Sequence, residues 1–297
     1  MSQIGYNIST SINKETLDKS IHDRSNFIQV FTSDPTNFNC YNKLSNFNGE
    51  LLKLYKKEKK LNYVIHGSFL INLCRLPNDK ITINSINLLK RDLSISQKIK
   101  AIGVIIHMGK NTGNLTYDEA FNMYVNNLNK VLSESEGIII LETGAGCGKE
   151  VATRLNELAR LREFSICKER VKFCIDTCHI YSAGYDLSND IIVDSLESYI
   201  DNTLGWENVI VAHINDSKEC FNSRKDRHAD IIDNNCDSDH SGDICNKNIN
   251  SFMKFIYNFH KRNIPMILET PADINDYKIQ IELINIYINE IDKKITI

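Results

Sequence analysis

One event repeats along this chain and constrains its fold more than anything else: an apolar run ends in a side chain able to hold a metal ion. Val64-Ile65-His66, Val104-Ile105-Ile106-His107 and Ile139-Ile140-Leu141-Glu142 are the first three cases. Phe173-Cys174-Ile175-Asp176, Ile210-Val211-Ala212-His213 and Met266-Ile267-Leu268-Glu269 are the next three. His179 follows Asp176 by three positions. A continuous apolar run is the signature of a strand buried on both faces, as in a parallel sheet. Polar residues that end such runs stand at the strands' C-terminal edge.

Between the runs lie stretches with helical spacing. Runs at Ile4–Ile8, Phe27–Phe31, Asn62–Ile65, Ile102–Ile106, Gly137–Leu141, Val171–Ile175, Val209–Ala212 and Pro265–Leu268 read as eight strands. Apolar positions such as Leu17/Ile21, Ile86/Leu89/Leu93, Phe121/Tyr124/Leu128 and Leu155/Leu158/Leu161 mark helices between them, and Leu44–Lys60 reads as another. The basic end of that helix, Lys56 to Lys60, suits the negative pole of the helix dipole. Strict β–α alternation implies a parallel sheet, and eight repeats imply closure into a (β/α)8 TIM barrel. No linker or shift in composition divides residues 1–297, which reads as one α/β domain. In this architecture the active site lies where strands end and βα loops begin.

Composition excludes several alternatives. A formal charge of −3 gives no global basic footprint. Nine cysteines without a spaced framework, in a chain this long, read as free thiols of a reducing compartment. No leader-like start and no membrane-length apolar run is present, so the expectation is an intracellular protein, in cytoplasm, nucleus or a viral particle, and not a secreted or membrane one.

At the strand-end face, histidines mix with carboxylates: His66, His107, His179, His213 and His228 with Glu142, Asp176, Asp226 and Glu269. That mixture suits zinc or a similar divalent ion, and nine ligands are too many for one tetrahedral ion. Two or three ions are expected. Three would bring +6 against four carboxylates, leaving a positive centre suited to a phosphodiester. Two other motifs carry less. Gly144-Ala145-Gly146-Cys147-Gly148-Lys149 lacks the first glycine and the final Ser/Thr of a phosphate-binding loop and reads as a flexible βα loop. Cys236 to Cys245 lacks paired zinc-ligand spacing and reads as a polar loop.

These motifs resemble the endonuclease IV family of apurinic/apyrimidinic endonucleases, in the same order over almost the whole chain. The matching segments are His66-Gly67-Ser68-Phe69-Leu70-Ile71-Asn72-Leu73, His107-Met108-Gly109 for the family's His-Pro-Gly, and Glu142-Thr143-Gly144-Ala145-Gly146. Cys174-Ile175-Asp176-Thr177-Cys178-His179 with Ala183-Gly184-Tyr185-Asp186, and His213-Ile214-Asn215-Asp216 through Asp226-Arg227-His228, complete the set. The resemblance implies a barrel with three zinc ions. His66, His107 and Glu142 would hold the first. Glu142 would bridge to a second, held also by Asp176, His213 and Glu269. His179, Asp226 and His228 would hold the third. Cys174 and Cys178 would then be small packing residues. The implied substrate is duplex DNA, cut 5′ to an abasic site to leave a 3′-hydroxyl, with removal of 3′-blocking groups as a further activity. Glu269 and Glu142 are the implied catalytic residues, Glu269 by orienting the attacking oxygen or accepting its proton. A monomer is expected.

Departures from the family lie outside these nine positions. Phe69-Leu70 replaces the usual Tyr-Leu that fills the gap in the duplex. The arginine inserted from the loop after strand two has no counterpart at Thr36, Asn222 replaces a glycine, and residues 229–246 replace a Gly-rich run. Two rivals remain. A sugar isomerase or epimerase on a related barrel would use Glu142, Asp176, His213 and Glu269 around one ion. A non-catalytic DNA-lesion binder would be expected to have lost ligands.

Overall fold

The computed structural model describes residues 2–32, 34–36, 47–232, 242–271 and 276–295. Eight parallel strands close a barrel: β1 (Ile4–Ile8), β2 (Phe27–Phe31), β3 (Asn62–His66), β4 (Val104–Ile106), β5 (Ile139–Glu142), β6 (Val171–Asp176), β7 (Val209–His213) and β10 (Met266–Leu268). Strand β10 pairs with both β7 and β1, which completes the ring. The expected TIM barrel is therefore the observed fold. Strands β4, β5 and β10 begin one or two residues later than their apolar runs suggest. Four strands instead extend to include His66, Glu142, Asp176 and His213.

Helices α1 (Lys14–His22), α2 (Gly49–Lys59), α3 (Lys80–Ile99), α4 (Tyr117–Glu134), α5 (Leu155–Glu163), α7 (Asp190–Thr203), α8 (Asp243–His260) and α9 (Asp276–Ile295) wrap the strands. The helix expected from Leu44 starts at Gly49, because the Asn48 side chain accepts the Leu51 N–H and caps it. Residues 44–46 lie outside the described residues. Two elements carry no sequence periodicity: the six-residue α6 (Thr177–Ser182) and an antiparallel ribbon of β8 (Asp216–Ser217) with β9 (His228–Ala229). The ribbon and α6 both lie at the strand-end face. Of the segment expected to be a polar loop, residues 236–241 are outside the described residues, while Asp243–Cys245 open α8 and Cys245 is buried. None of the described helices is long and apolar enough to cross a membrane.

The core has two layers. The larger one lies between strands and helices. The smaller one joins Phe27, Val64, Ile105, Ile140, Cys174, Val211 and Ile267, one side chain from each of seven strands, at 0–1% exposure. Only the barrel interior can bring one residue per strand into mutual contact, so this is the barrel's floor. The eighth strand supplies Gly5, where a Cβ would collide with the Phe27 carbonyl oxygen. Side chains alternate with period two along a strand. The residue two positions after each floor residue therefore also faces inward, one layer higher: Asn7, Gln29, His66, His107, Glu142, Asp176, His213 and Glu269.

Asp216 ties the end of β7 to α8. Its buried carboxylate accepts the N–H groups of Ser217 (2.6 Å), Ile244 (2.9 Å) and Cys245 (2.9 Å). The first turn of α8 is thus capped from another element, and Gly242 leaves room for it, since a Cβ there would strike the same carboxylate. Asp216→Ala should cost about 2–4 kcal/mol, from lost charge-assisted bonds and a lost cap. In a chain of this length that lowers Tm by roughly 3–6 °C. A thermal melt that does not move would refute this account.

Candidate metal centre

The structure brings all nine expected side chains to one place, in three groups of which the first two share Glu142; a fourth, Asp176, Cys178 and His228, links the second to the third. His66, His107 and Glu142 form one, Glu142, Asp176, His213 and Glu269 the second, and His179, Asp226 and His228 the third, with potential ligand atoms within 4.8 Å of one another in each. Six of the nine come from the inward layer above the barrel floor. His179 is carried by α6, whose N-cap is Asp176: the Asp176 carboxylate accepts the His179 N–H at 2.9 Å. Asp226 and His228 come from the chain between β8 and β9 and the start of β9.

Glu142 is the hub. Its Oε2 lies 3.3 Å from His66 Nε2 and 3.7 Å from His107 Nε2, and its Oε1 3.0 Å from His213 Nδ1. His213 Nδ1 is also 3.0 Å from Glu269 Oε2 and 3.7 Å from Asp176 Oδ2. Asp226 Oδ1 is 3.2 Å from both His179 Nε2 and His228 Nε2.

Four of the five histidines spend their other ring nitrogen on a carbonyl oxygen. His66 Nδ1 donates to Gly67 O (2.7 Å), His179 Nδ1 to Thr143 O (2.7 Å) and His228 Nδ1 to Glu269 O (3.1 Å). His213 Nε2 donates to Gln29 Oε1 (2.8 Å). A carbonyl oxygen only accepts, so each of these nitrogens carries the hydrogen. The opposite nitrogen is then the one turned toward the cluster, where it would offer a lone pair to an ion once any proton on it is displaced, which is how metal-binding histidines are held. His179 Nε2 and His228 Nε2 are buried and find no hydrogen-bond partner among the described residues, although Asp226 is near. Such orphans are costly, and a shared cation would satisfy both. The donor set thus fits divalent ions of the zinc type.

Electrostatics agrees with that fit. Burial alone would lower the pKa of His228, but Asp176 and Asp226 override it and raise it to about 9. Burial is likewise overridden at His179, by Asp176 and Asp226, and at His213, by the Glu269 and Glu142 carboxylates; both rise well above the usual imidazole range. Burial raises Asp226, and His179 and His228 more than reverse this, so it stays ionised. Burial also works against an ionised Glu269, but His213 holds it at about 2. Burial moves Cys174 and Cys178 up to about 12, so both are neutral thiols at full burial, as packing residues would be.

The cleft above the cluster has a volume of about 1150 Å³, and Lys110, Arg224, Lys225 and Arg227 are among its lining residues. Phe69 is 52% exposed at its wall, beside Leu70, with its ring 5.5 Å from those of His66 and His107. Asn222 takes φ 60°, the left-handed conformation that asparagine tolerates in place of glycine. Thr36 closes a turn on the Asp34 carboxylate, which accepts both its N–H and its hydroxyl. The loop after β5 is pinned instead of flexible. Glu150 Oε2 accepts the Gly146 and Cys147 N–H groups at 2.6 and 3.3 Å, which occupies amides a phosphate would need. Asn7 and Gln29 belong to the inward layer and have no place among the expected site residues. A polar residue inside the run Phe27-Ile28-Gln29-Val30-Phe31 was the signal available for Gln29.

Fold and site together define a TIM barrel with a histidine–carboxylate cluster that contains several candidate metal-binding groups. The family profile described as xylose isomerase-like TIM barrel matches residues 25–287. The endonuclease 4 homologue of Acanthamoeba polyphaga mimivirus is 38% identical over 75% of this chain and 72% of its own. The probable endonuclease 4 of Persephonella marina is 33% identical over 91% of this chain and 92% of its own. The crystal structure of endonuclease IV from Thermus thermophilus superposes with a TM-score of 0.76 at 24% identity, over 97% of this chain and 99% of that one. The chain belongs to the endonuclease IV family.

The raised histidine pKa values predict how a cation enters. His228, raised to about 9, and His179 and His213, raised well above the usual imidazole range, carry protons at neutral pH in the cation-free protein, and a divalent ion must displace them. His107, lowered to about 4 by burial, has none to lose. Metal affinity should therefore rise with pH between 6 and 9. Calorimetric titration with zinc in buffers of different ionisation enthalpy should report release of more than one proton per chain. Proton-neutral binding at pH 7 would contradict it.

Proposed function

We propose that this chain is a zinc-dependent AP endonuclease, acting as a single domain over residues 1–297. In this reading it hydrolyses the phosphodiester 5′ to an abasic site in duplex DNA, leaves a 3′-hydroxyl and also clears blocked 3′ ends. The observation that carries the proposal is the convergence of nine residues from spaced motifs into three neighbouring groups. A sugar isomerase needs only the group of Glu142, Asp176, His213 and Glu269, which leaves His66, His107, His179, Asp226 and His228 without purpose. The cleft also exceeds the ~300–1,000 Å³ usual for a small ligand, and the cations on its wall suit a phosphate backbone. Endonuclease 4 relatives support the same reaction class.

Each part of the site has work in this scheme. Zinc ions held by the three groups would supply concentrated positive charge for the transition state and acidify the attacking water. Glu269, ionised and pointing its Oε2 into the cluster, orients that water or accepts its proton. Glu142, between two groups, keeps them at a fixed spacing. His107 and His66 stand beneath Phe69, so the phosphate is cut next to the residue that fills the gap in the stack. Phe69 stacks on the flanking base, and Leu70 wedges beside it. The protein works as a monomer within the cell.

Incision of a duplex oligonucleotide containing one abasic site tests the proposal. The purified chain should contain about three zinc ions by elemental analysis and cut at the 5′ side. Glu269→Gln should abolish cutting and spare DNA binding. Metal-replete protein that leaves the oligonucleotide intact would refute the proposal, and one ion per chain would favour the sugar enzyme.

Phe69 can be read separately. Phe69→Ala should weaken binding of abasic duplex by about 1–3 kcal/mol, the usual value of one stacked base, with zinc content unchanged. Affinity equal to the wild type in a fluorescence-anisotropy titration would remove Phe69 from the interface.

A further inference from the structure

The cluster owes one of its four histidine anchors to a side chain. His66, His179 and His228 are oriented by main-chain carbonyls, which no substitution removes. His213 is oriented by Gln29, a fully buried amide on β2 that no motif of the sequence assigns. We infer that Gln29 is a positioning residue for this site: one amide fixes the His213 ring and the Glu269 carboxylate together.

The geometry leaves one assignment for that amide. Gln29 Oε1 lies 2.8 Å from His213 Nε2, and Gln29 Nε2 lies 2.5 Å from Glu269 Oε1 and 3.4 Å from Asn7 Oδ1. Reversing the amide would set its oxygen against the Glu269 and Asn7 oxygens, with no hydrogen between them. So the oxygen faces His213, and His213 Nε2 carries the hydrogen. Its Nδ1 is then the nitrogen turned toward Glu142 Oε1, Glu269 Oε2 and Asp176 Oδ2, and the one an ion would meet. The amide's nitrogen meanwhile holds Glu269 Oε1, which leaves Oε2 as the atom turned toward the cluster. Gln29 supplies one acceptor and one donor, and only a primary amide of this length offers both. Glutamate supplies the acceptor alone, and leucine neither. Gln29 lies beneath the site and is not among the residues lining the cleft, so it acts through its two neighbours and not on the DNA.

The inference rests on the proposed zinc-dependent reaction, and its test is arranged to separate the two. Gln29→Leu and Gln29→Glu are compared with wild type in three measurements. The first is zinc release to a chromogenic chelator, the second the two-bond 1H–15N spectrum of the histidine rings in zinc-loaded protein, and the third incision of abasic duplex. Gln29→Leu should release part of its zinc about 10–100-fold more readily, the usual effect of losing an outer partner of a metal-bound histidine. Gln29→Glu should keep the Nε2–H form of His213 and hold its zinc as the wild type does. Its kcat should still fall, with KM for the DNA unchanged, because Glu269 loses its donor and faces a second carboxylate. Wild-type zinc retention in Gln29→Leu, a wild-type spectrum with the His213 proton on Nδ1, or full turnover by Gln29→Glu would each overturn the role. If Gln29→Leu does not fold, the glutamate variant and the wild-type spectrum decide alone. A wild-type chain that leaves abasic duplex uncut would sink the proposed reaction, while the zinc and ring-proton measurements would still judge Gln29.

Discussion

Everything at this site stands on the floor of the barrel. Seven side chains, one per strand, pack against one another with essentially no exposure, and Gly5 lets β1 approach where an eighth would not fit. Strand alternation then forces the next inward residues into a second layer directly above. A close-packed floor cannot be compressed and admits no water, so this second layer has a fixed height and a dry underside. Burial of this kind is expensive for charged groups. The layer tolerates it because acids and bases are interleaved: Glu142 faces His66, His107 and His213, and Asp226 faces His179 and His228. Removing one partner would leave the other buried without compensation, which is why such a cluster is held or lost as a unit.

The second constraint is orientation, and here strand ends serve twice. Glu142 sends its carboxylate inward, while the carbonyl of the next residue, Thr143, anchors His179 of α6. Glu269 does the same with its own carbonyl, which anchors His228 of β9. Asp176 turns its carboxylate toward the cluster and caps the helix that carries His179. Asn215 links two of these ends. Its amide donates to Asp176 Oδ2 at 2.8 Å, and its oxygen accepts the Glu269 N–H at 2.8 Å. The third group is thus anchored to strand ends by backbone carbonyls, while His66 rests on its own neighbour Gly67 and His213 on the Gln29 side chain. The barrel's own hydrogen bonding sets the first two groups, and α6 and the ribbon bring the third beside them.

The sequence makes the barrel legible because buried parallel strands are continuous apolar runs, and their ends are marked where Ile, Val or Leu gives way to His, Glu or Asp. The same rule extends to all eight strands once the layer is counted by polarity and not by ligand type: Gly5-Tyr6-Asn7 and Phe27-Ile28-Gln29 obey it with amides. Asn7 and Gln29 went unread because a search for metal ligands passes over them. Helix α6 is invisible for a different reason. All six of its residues are buried, so no apolar stripe distinguishes one face. The β8–β9 ribbon is too short to show a period of two. Both are placed by contacts distant in sequence, such as the Thr177 hydroxyl on Asn215 O and the His179 ring on Thr143 O for the helix, and the Ile244 N–H on the Asp216 carboxylate for the ribbon.

These unread elements also separate this barrel from a one-ion sugar enzyme. Glu142, Asp176, His213 and Glu269 all sit on barrel strands or the position just after one, so the scaffold alone can supply that group. His179, Asp226 and His228 cannot come from the scaffold. They need a helix started at the moment β6 ends and a ribbon folded back between β7 and α8, and Asp216 secures that ribbon to the helix beyond it. The third group is thus an addition carried by local structure with no core of its own. Such structure persists when the side chains it carries have a common partner, and His179 Nε2 and His228 Nε2 each lie 3.2 Å from the same Asp226 oxygen. In the proposed reading, a cation held there would stabilise the ribbon and α6 against each other.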